Sequence, residues 1–229
     1  MNKANLSITK QAVLGLIALA VVMWIVLFLP AGSLNYWQGW VYWITFFVCV
    51  SFISAYFIRK DITLIAKRLK AGPAGETQTS QKFIQAIAAI FFVLLLLIPP
   101  IDHHFQWSNV PAFLVITADV FVVLGLAIVF LVFRENTFTS AVIEVNENQK
   151  VISTGPYKYV RHPMYSGALV MLFFTPLALG SFWGLLAFLP MFFAICFRLL
   201  EEEKFLGKSL VGYREYCKKT RCRLIPFIW

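Results

Sequence analysis

The chain has 229 residues, of which 60% are hydrophobic and only 14% charged, and its formal net charge is +9. A mean hydropathy of +0.76 excludes an ordinary soluble domain and points to a protein that crosses a bilayer several times. Backbone polar groups in lipid must bond to one another, so the spans are expected to be helices, and the alternation of barrel strands is absent.

In chain order, six apolar segments are expected to be helical, at approximately 11–30, 39–58, 83–101, 110–133, 164–180 and 182–200. The first has no clear small-residue cleavage site and reads as a retained span. Between the second and third, the stretch KAGPAGETQTSQK reads as a flexible loop. Residues 141–152, AVIEVNENQKVI, alternate in part, as a small hairpin or extended strip would. Only Gly180 and Ser181 separate the last two segments, so these read as a tight helical hairpin. Pro176 and Pro190 interrupt its two arms.

Every Lys and Arg falls before the first span, between spans two and three, between four and five, or after Phe197. The other three connections contain none. The positive-inside rule then puts both termini in the cytoplasm, with six crossings. An anionic lipid surface accounts for the net charge, and nucleic acid is not expected as a partner. Two of the four cysteines lie in apolar runs and two in the basic tail, so no disulfide framework is expected. The division expected is a region of four spans at 1–133 and a motif-bearing region at 134–229.

Polar chemistry is concentrated in the second region. STGPYKYVRHPMYSG, residues 153–167, contains Pro163, which suits the first turn of a helix, with His162 at the N-cap. Free backbone N–H groups, Arg161 and His162 would together attract a carboxylate or phosphate. The plainer alternative is a snorkelling arginine and a capping histidine. Downstream, RLLEEEKFL places Glu202 four residues after Arg198, so both can look into one cavity. An anion pocket beside a carboxylate suits a ligand carrying both signs of charge.

Elsewhere, Asp119 inside the fourth segment is expected to be a neutral or hydrogen-bonded structural acid rather than a functional one. His103 and His104 side by side make a poor metal site, and no metal is expected.

The G-x-Y-x-x-x-R-H-P-x-Y element, the hairpin, and Arg198, Glu202, Glu203 and Leu206 resemble the isoprenylcysteine carboxyl methyltransferase family, which is related to the membrane phospholipid methyltransferases. The resemblance covers about residues 134–226. It implies an integral membrane enzyme using S-adenosylmethionine and releasing S-adenosylhomocysteine. It also implies a small or lipid-like acceptor, such as the carboxyl group of a prenylcysteine-like compound. By the same resemblance the cofactor pocket draws on Lys150, Val151, Ile152, Tyr157, Arg161, His162, Pro163, Met164 and Glu202, and Arg198 faces the acceptor. Glu203 is the nearest candidate base should the acceptor be an amine. Gln149 stands where related sequences often have His, and the tail LVGYREYCKKTRCRLIP lacks the usual Phe-Gly before its tyrosines. Two rivals remain. One is a membrane NADPH-dependent sterol-type reductase, against which the acidic run at 201–203 counts. The other is a non-enzymatic transporter, which would need more mid-bilayer polar groups than Asp119. The oligomeric state is left open.

Overall fold

A computed structural model describes residues 3–69, 79–139 and 150–229. The extended strip expected at 141–152 lies almost wholly outside these residues. The described residues are all-helical. The helices are α1 (Lys3–Ala31), α2 (Trp37–Lys60), α3 (Ile62–Arg68), α4 (Thr79–Phe105), α5 (Ala112–Glu135), α6 (Pro163–Ala178), α7 (Leu185–Ser209) and α8 (Tyr213–Lys219).

Four of them, α1, α2, α4 and α5, are long and apolar enough to cross a membrane. Six spans were expected, and the difference has a physical cause. α6 has 16 residues, about 24 Å at 1.5 Å per residue, short of a hydrocarbon core of about 30 Å. α7 is longer, but its apolar part ends at Phe197 and the charged cluster begins at Arg198. Both helices continue through their prolines, Pro176 and Pro190.

The bundle has two chemically distinct ends. At the cation-free end, Asp102 is 1% exposed at the end of α4. It accepts from the Ser108 N–H at 2.7 Å, from the Ser108 hydroxyl at 2.6 Å and from the Ser181 hydroxyl. The Ser181 oxygen also accepts from the Gly184 N–H at 3.0 Å. Asp102 is thus a buried anchor for the α6–α7 connection. Tyr36 adds a bond from its hydroxyl to the Leu179 carbonyl at 2.5 Å. Gly180 sits in that turn at φ +76, a conformation side chains rarely adopt. His103 stacks on Tyr36 with ring centroids 4.4 Å apart, and His104 meets the Ala31 carbonyl at 3.2 Å. No group of metal-ligating side chains exists among the described residues.

The core runs along α1, α2, α4, α5 and α6 through Leu27, Phe28, Tyr42, Leu96, Val122 and Leu177. α6 packs chiefly on α5 and α7 chiefly on α4. The α5–α6 contact is closest at two glycines. A Cβ on Gly125 would lie 2.6 Å from the Gly167 carbonyl oxygen and 2.8 Å from the Met171 nitrogen. Small residues let membrane helices approach backbone to backbone in this way. In a free helix Gly→Ala gains about 1 kcal/mol; here the clash reverses the sign. Gly125→Ala is expected to destabilise by about 2 kcal/mol, read as a lower thermal midpoint in detergent.

Asp119 lies in α5 at 5% exposure, and neither carboxylate oxygen has a hydrogen-bond partner. Of the two expected states, the hydrogen-bonded one is not observed. A bare buried charge is costly enough that the neutral acid is the consistent form.

Candidate functional site at the cation-rich end

The site assembles where α6 begins and α7 ends. His162 is the N-cap residue of α6 and Pro163 its first residue, as the missing proline N–H favours. The His162 side chain makes no capping bond. Its Nε2 instead faces Glu203 Oε1 at 3.3 Å. Arg161 Nη1 lies 3.0 Å from the same oxygen, and Arg223 Nε donates to Glu203 Oε2 at 2.9 Å. Glu203 is only 11% exposed, Arg161 10% and His162 6%. The anion that Arg161 and His162 were expected to attract is therefore supplied by the chain itself.

This arrangement bears on Glu203 as a base. Burial alone would push its pKa up. Hydrogen bonds from His162 and Arg223 and the charges of His162 and Arg161 outweigh that and hold it below the usual glutamate range. A carboxylate held ionised by three partners is poorly suited to take up a proton. Its contribution to stability has a definite sign. Because the folded pKa is depressed, the contribution is present above about pH 4.5 and is lost as pH falls through the folded value. Thermal midpoints scanned from pH 7 to pH 3 are expected to show this acid-side loss in the wild type, with a smaller one in Glu203→Gln.

The tail closes the site from below. The Arg161 N–H donates to the Cys222 carbonyl at 2.9 Å and the His162 N–H to the Arg223 carbonyl at 3.0 Å. The Ser166 hydroxyl donates to the Leu224 carbonyl at 2.6 Å. Tyr216 on α8 donates to the Tyr157 carbonyl at 2.8 Å, and the Tyr157 hydroxyl accepts from Asn136 Nδ2 at 2.9 Å. Tyr157 sits in a single 3-10 turn, Gly155–Lys158, where burial pushes its pKa up to about 12. Arg223 is thereby a site residue that motif spacing alone did not secure.

A second chain of bonds lies one helical turn along. Arg198 Nε donates to the Tyr165 hydroxyl at 3.0 Å, and that hydroxyl donates to Glu202 Oε2 at 2.6 Å. The structure thus brings Arg198 and Glu202 together through Tyr165, a residue the sequence reading had left without a role. The Tyr165 and His162 rings stack with centroids 5.8 Å apart, joining the two chains of bonds. Met164 is half-buried, Val151 and Ile152 are half-buried, and Lys150 is exposed.

Two buried polar atoms here have no partner: Arg161 Nε and the Tyr213 hydroxyl. Burial and then the nearby Glu203 charge push the Tyr213 pKa up, keeping it a neutral donor. Orphaned donors beside a carboxylate suit a ligand that presents its own carboxylate and ammonium.

Comparison with known proteins finds the following similarities. Residues 113–211 match the family model for phospholipid methyltransferases. Over 153 residues the chain is 29% identical to a protein of Oryza sativa subsp. indica named "Probable protein-S-isoprenylcysteine O-methyltransferase", covering 63% of this chain and 77% of that one. Its counterpart from subsp. japonica gives the same figures. Over 109 residues the chain is 30% identical to a Delta(14)-sterol reductase of Mus musculus, covering 42% of this chain but only a quarter, 25%, of the reductase. The fold and the matches define a multi-pass membrane protein of the methyltransferase class. Within that class its similarities are to the phospholipid methyltransferase family model and to proteins named as isoprenylcysteine O-methyltransferases.

Proposed function

We propose that the chain transfers a methyl group from S-adenosylmethionine to a lipid-like acceptor, and that the accepting atom is a carboxylate oxygen of a prenylcysteine-like compound. The observation that supports this most is the Arg198–Tyr165–Glu202 chain beside the α6 N-terminus. It sets a guanidinium and a carboxylate a few ångströms apart at one end of an apolar bundle.

The residues fit the donor molecule. Glu202 has one oxygen engaged by Tyr165 and a second to receive an ammonium. Arg161 Nε and the Tyr213 hydroxyl are donors for a carboxylate. His162, Pro163 and Met164 at the start of α6, with Tyr157 and Lys150–Ile152, would complete the pocket. When bound, the donor supplies a methyl group on a positively charged sulfur. Arg198 holds the acceptor for in-line attack, and positioning supplies most of the acceleration. A carboxylate is already a nucleophile and needs no base, which leaves Glu203 free to lock the tail onto the motif.

On this reading α6 and α7 enter the membrane as a hairpin, giving six crossings with both termini cytoplasmic. Residues 1–133 form the membrane scaffold and 134–229 the methyltransferase core. The apolar acceptor enters from the bilayer and the soluble donor from the cytoplasm.

The resemblance to a sterol reductase supplies the second reading, in which a nicotinamide cofactor occupies the pocket. Glu201, Glu202 and Glu203 would oppose its phosphates. Titrating the lipid-embedded protein with S-adenosylhomocysteine and with NADPH separates the two. Binding of the first and radiolabelled methyl transfer into a membrane lipid extract are expected. NADPH binding with no S-adenosylhomocysteine binding would reverse the assignment.

A further inference from the structure

Two polar side chains from the first half of the chain, Gln81 and Arg68, meet residues of α7 and α6 at the cation-rich end. Gln81 stands in the first turn of α4, 0% exposed. Its Oε1 accepts from Arg198 Nη1 at 3.2 Å. Arginine has donors only, so chemistry fixes the amide: the oxygen faces the guanidinium and the nitrogen points away from it. That nitrogen, Nε2, is buried and meets no acceptor. Native structures leave few buried donors unpaired, and those few call for an explanation.

Arg68 is the last residue of α3. Asp61 fixes that helix by accepting from the Leu64 N–H at 3.1 Å and the Thr63 hydroxyl at 2.6 Å. Arg68 lies over the Phe133 ring, 5.0 Å from its centroid, and its Nη1 reaches Met164 Sδ at 3.9 Å. Met164 and Tyr165 are consecutive in α6. Arg68 touches the first and Arg198 the second, so two guanidiniums converge on one turn of helix. Burial lowers the Arg68 pKa, and the nearby Arg198 charge lowers it further. Like charges drawn together next to an orphaned N–H donor make a receptor for anionic oxygens.

We propose that Gln81 and Arg68, with Arg198, form an acceptor subsite that grips the acidic oxygens of an apolar-tailed substrate, Gln81 Nε2 donating to one oxygen and Arg68 supplying the second positive charge. The proposal rests on the methyltransferase reading for the role of Arg198. It gives α3 and the start of α4 a task, and it selects an acid over an amine, because an ammonium would face two guanidiniums. Gln81 and Arg68 are then determinants of acceptor class outside the recurrent motif.

The test is equilibrium binding, without methyl donor, to the full chain in phosphatidylcholine nanodiscs. The probes are N-acetyl-S-farnesylcysteine and its methyl ester, which share a tail and differ in the acidic group. The wild type is expected to bind the acid at least tenfold more tightly than the ester. Gln81→Leu and Arg68→Gln are each expected to weaken acid binding five- to twentyfold, leaving ester and S-adenosylhomocysteine binding within twofold. Gln81→Glu, which puts a negative charge at the orphaned donor, removes the acid preference altogether. Equal wild-type binding of acid and ester overturns the proposal, as does retention of the acid preference in Gln81→Leu and Arg68→Gln. Should Gln81→Leu fail to fold, seen as lost ester binding, Arg68→Gln and Gln81→Glu decide by the same criterion. Acid preference without S-adenosylhomocysteine binding would instead sink the methyltransferase reading and leave the anion subsite standing.

Discussion

Replacing Glu203 by alanine is expected to lower the thermal midpoint of the lipid-embedded protein by about 6–12 °C. The reasoning is electrostatic. Glu203 carries the ion pairs of Arg161 and Arg223 and the contact with His162. Removing one partner of a buried pair leaves the others desolvated and uncompensated, at a cost of about 3 kcal/mol. For a chain of this length each kcal/mol moves the midpoint by about 2–4 °C. Glu203→Gln keeps the shape and one acceptor oxygen, so it should fall between alanine and wild type. Limited proteolysis gives an independent reading, because loss of the Arg223 bond frees the tail. Cleavage after Arg221 or Arg223 should accelerate in Glu203→Ala while cleavage after Lys60, between α2 and α3, stays unchanged. An alanine variant as stable and as protected as wild type would show that Glu203 does not hold the tail.

The second large effect is catalytic. Arg198→Lys is expected to reduce methyl transfer by about 10²- to 10³-fold, with S-adenosylhomocysteine affinity within threefold of wild type. Arg198 uses Nε for Tyr165 and Nη1 for Gln81. A lysine has a single nitrogen and cannot reproduce that fork. The lost geometry also frees the Tyr165 hydroxyl, which sets the Glu202 carboxylate. On the proposed reading, in which the arginine orients the attacking oxygen, the loss should appear in kcat as well as in the acceptor KM. Unchanged turnover in Arg198→Lys would remove the arginine from the reaction.

The helices were readable because hydropathy is a local signal. The expected segments 39–58 and 110–133 lie within two residues of α2 and α5 at either end. Pro163 marked the start of α6 because its missing N–H suits that one position. What failed to show was long-range pairing. Arg161 and His162 formed a visible anion receptor, but nothing local says that Glu203, some forty residues on, fills it. Tyr165 sat inside a quoted motif without a role, since its partners Arg198 and Glu202 belong to another helix. Gln81 and Arg68 are single polar residues flanking a polar stretch of sequence, and no periodicity distinguishes them from their neighbours. Four of the six expected crossings coincide with helices long and apolar enough to span by themselves, whereas α6 is too short and α7 too charged at its end to stand out by the same measure.

The backbone pairing of Arg161 and His162 with Cys222 and Arg223 sets an order of events in biogenesis. The long helices can be threaded into the membrane as they emerge from the ribosome, each satisfying its own peptide groups. The motif preceding α6 cannot, because its hydrogen-bonding partner is encoded some sixty codons later. Nascent or prematurely stopped chains that lack the stretch around 222–224 would leave the Arg161 and His162 N–H groups without these partners, and the pairing can form only after the finished tail has left the ribosome.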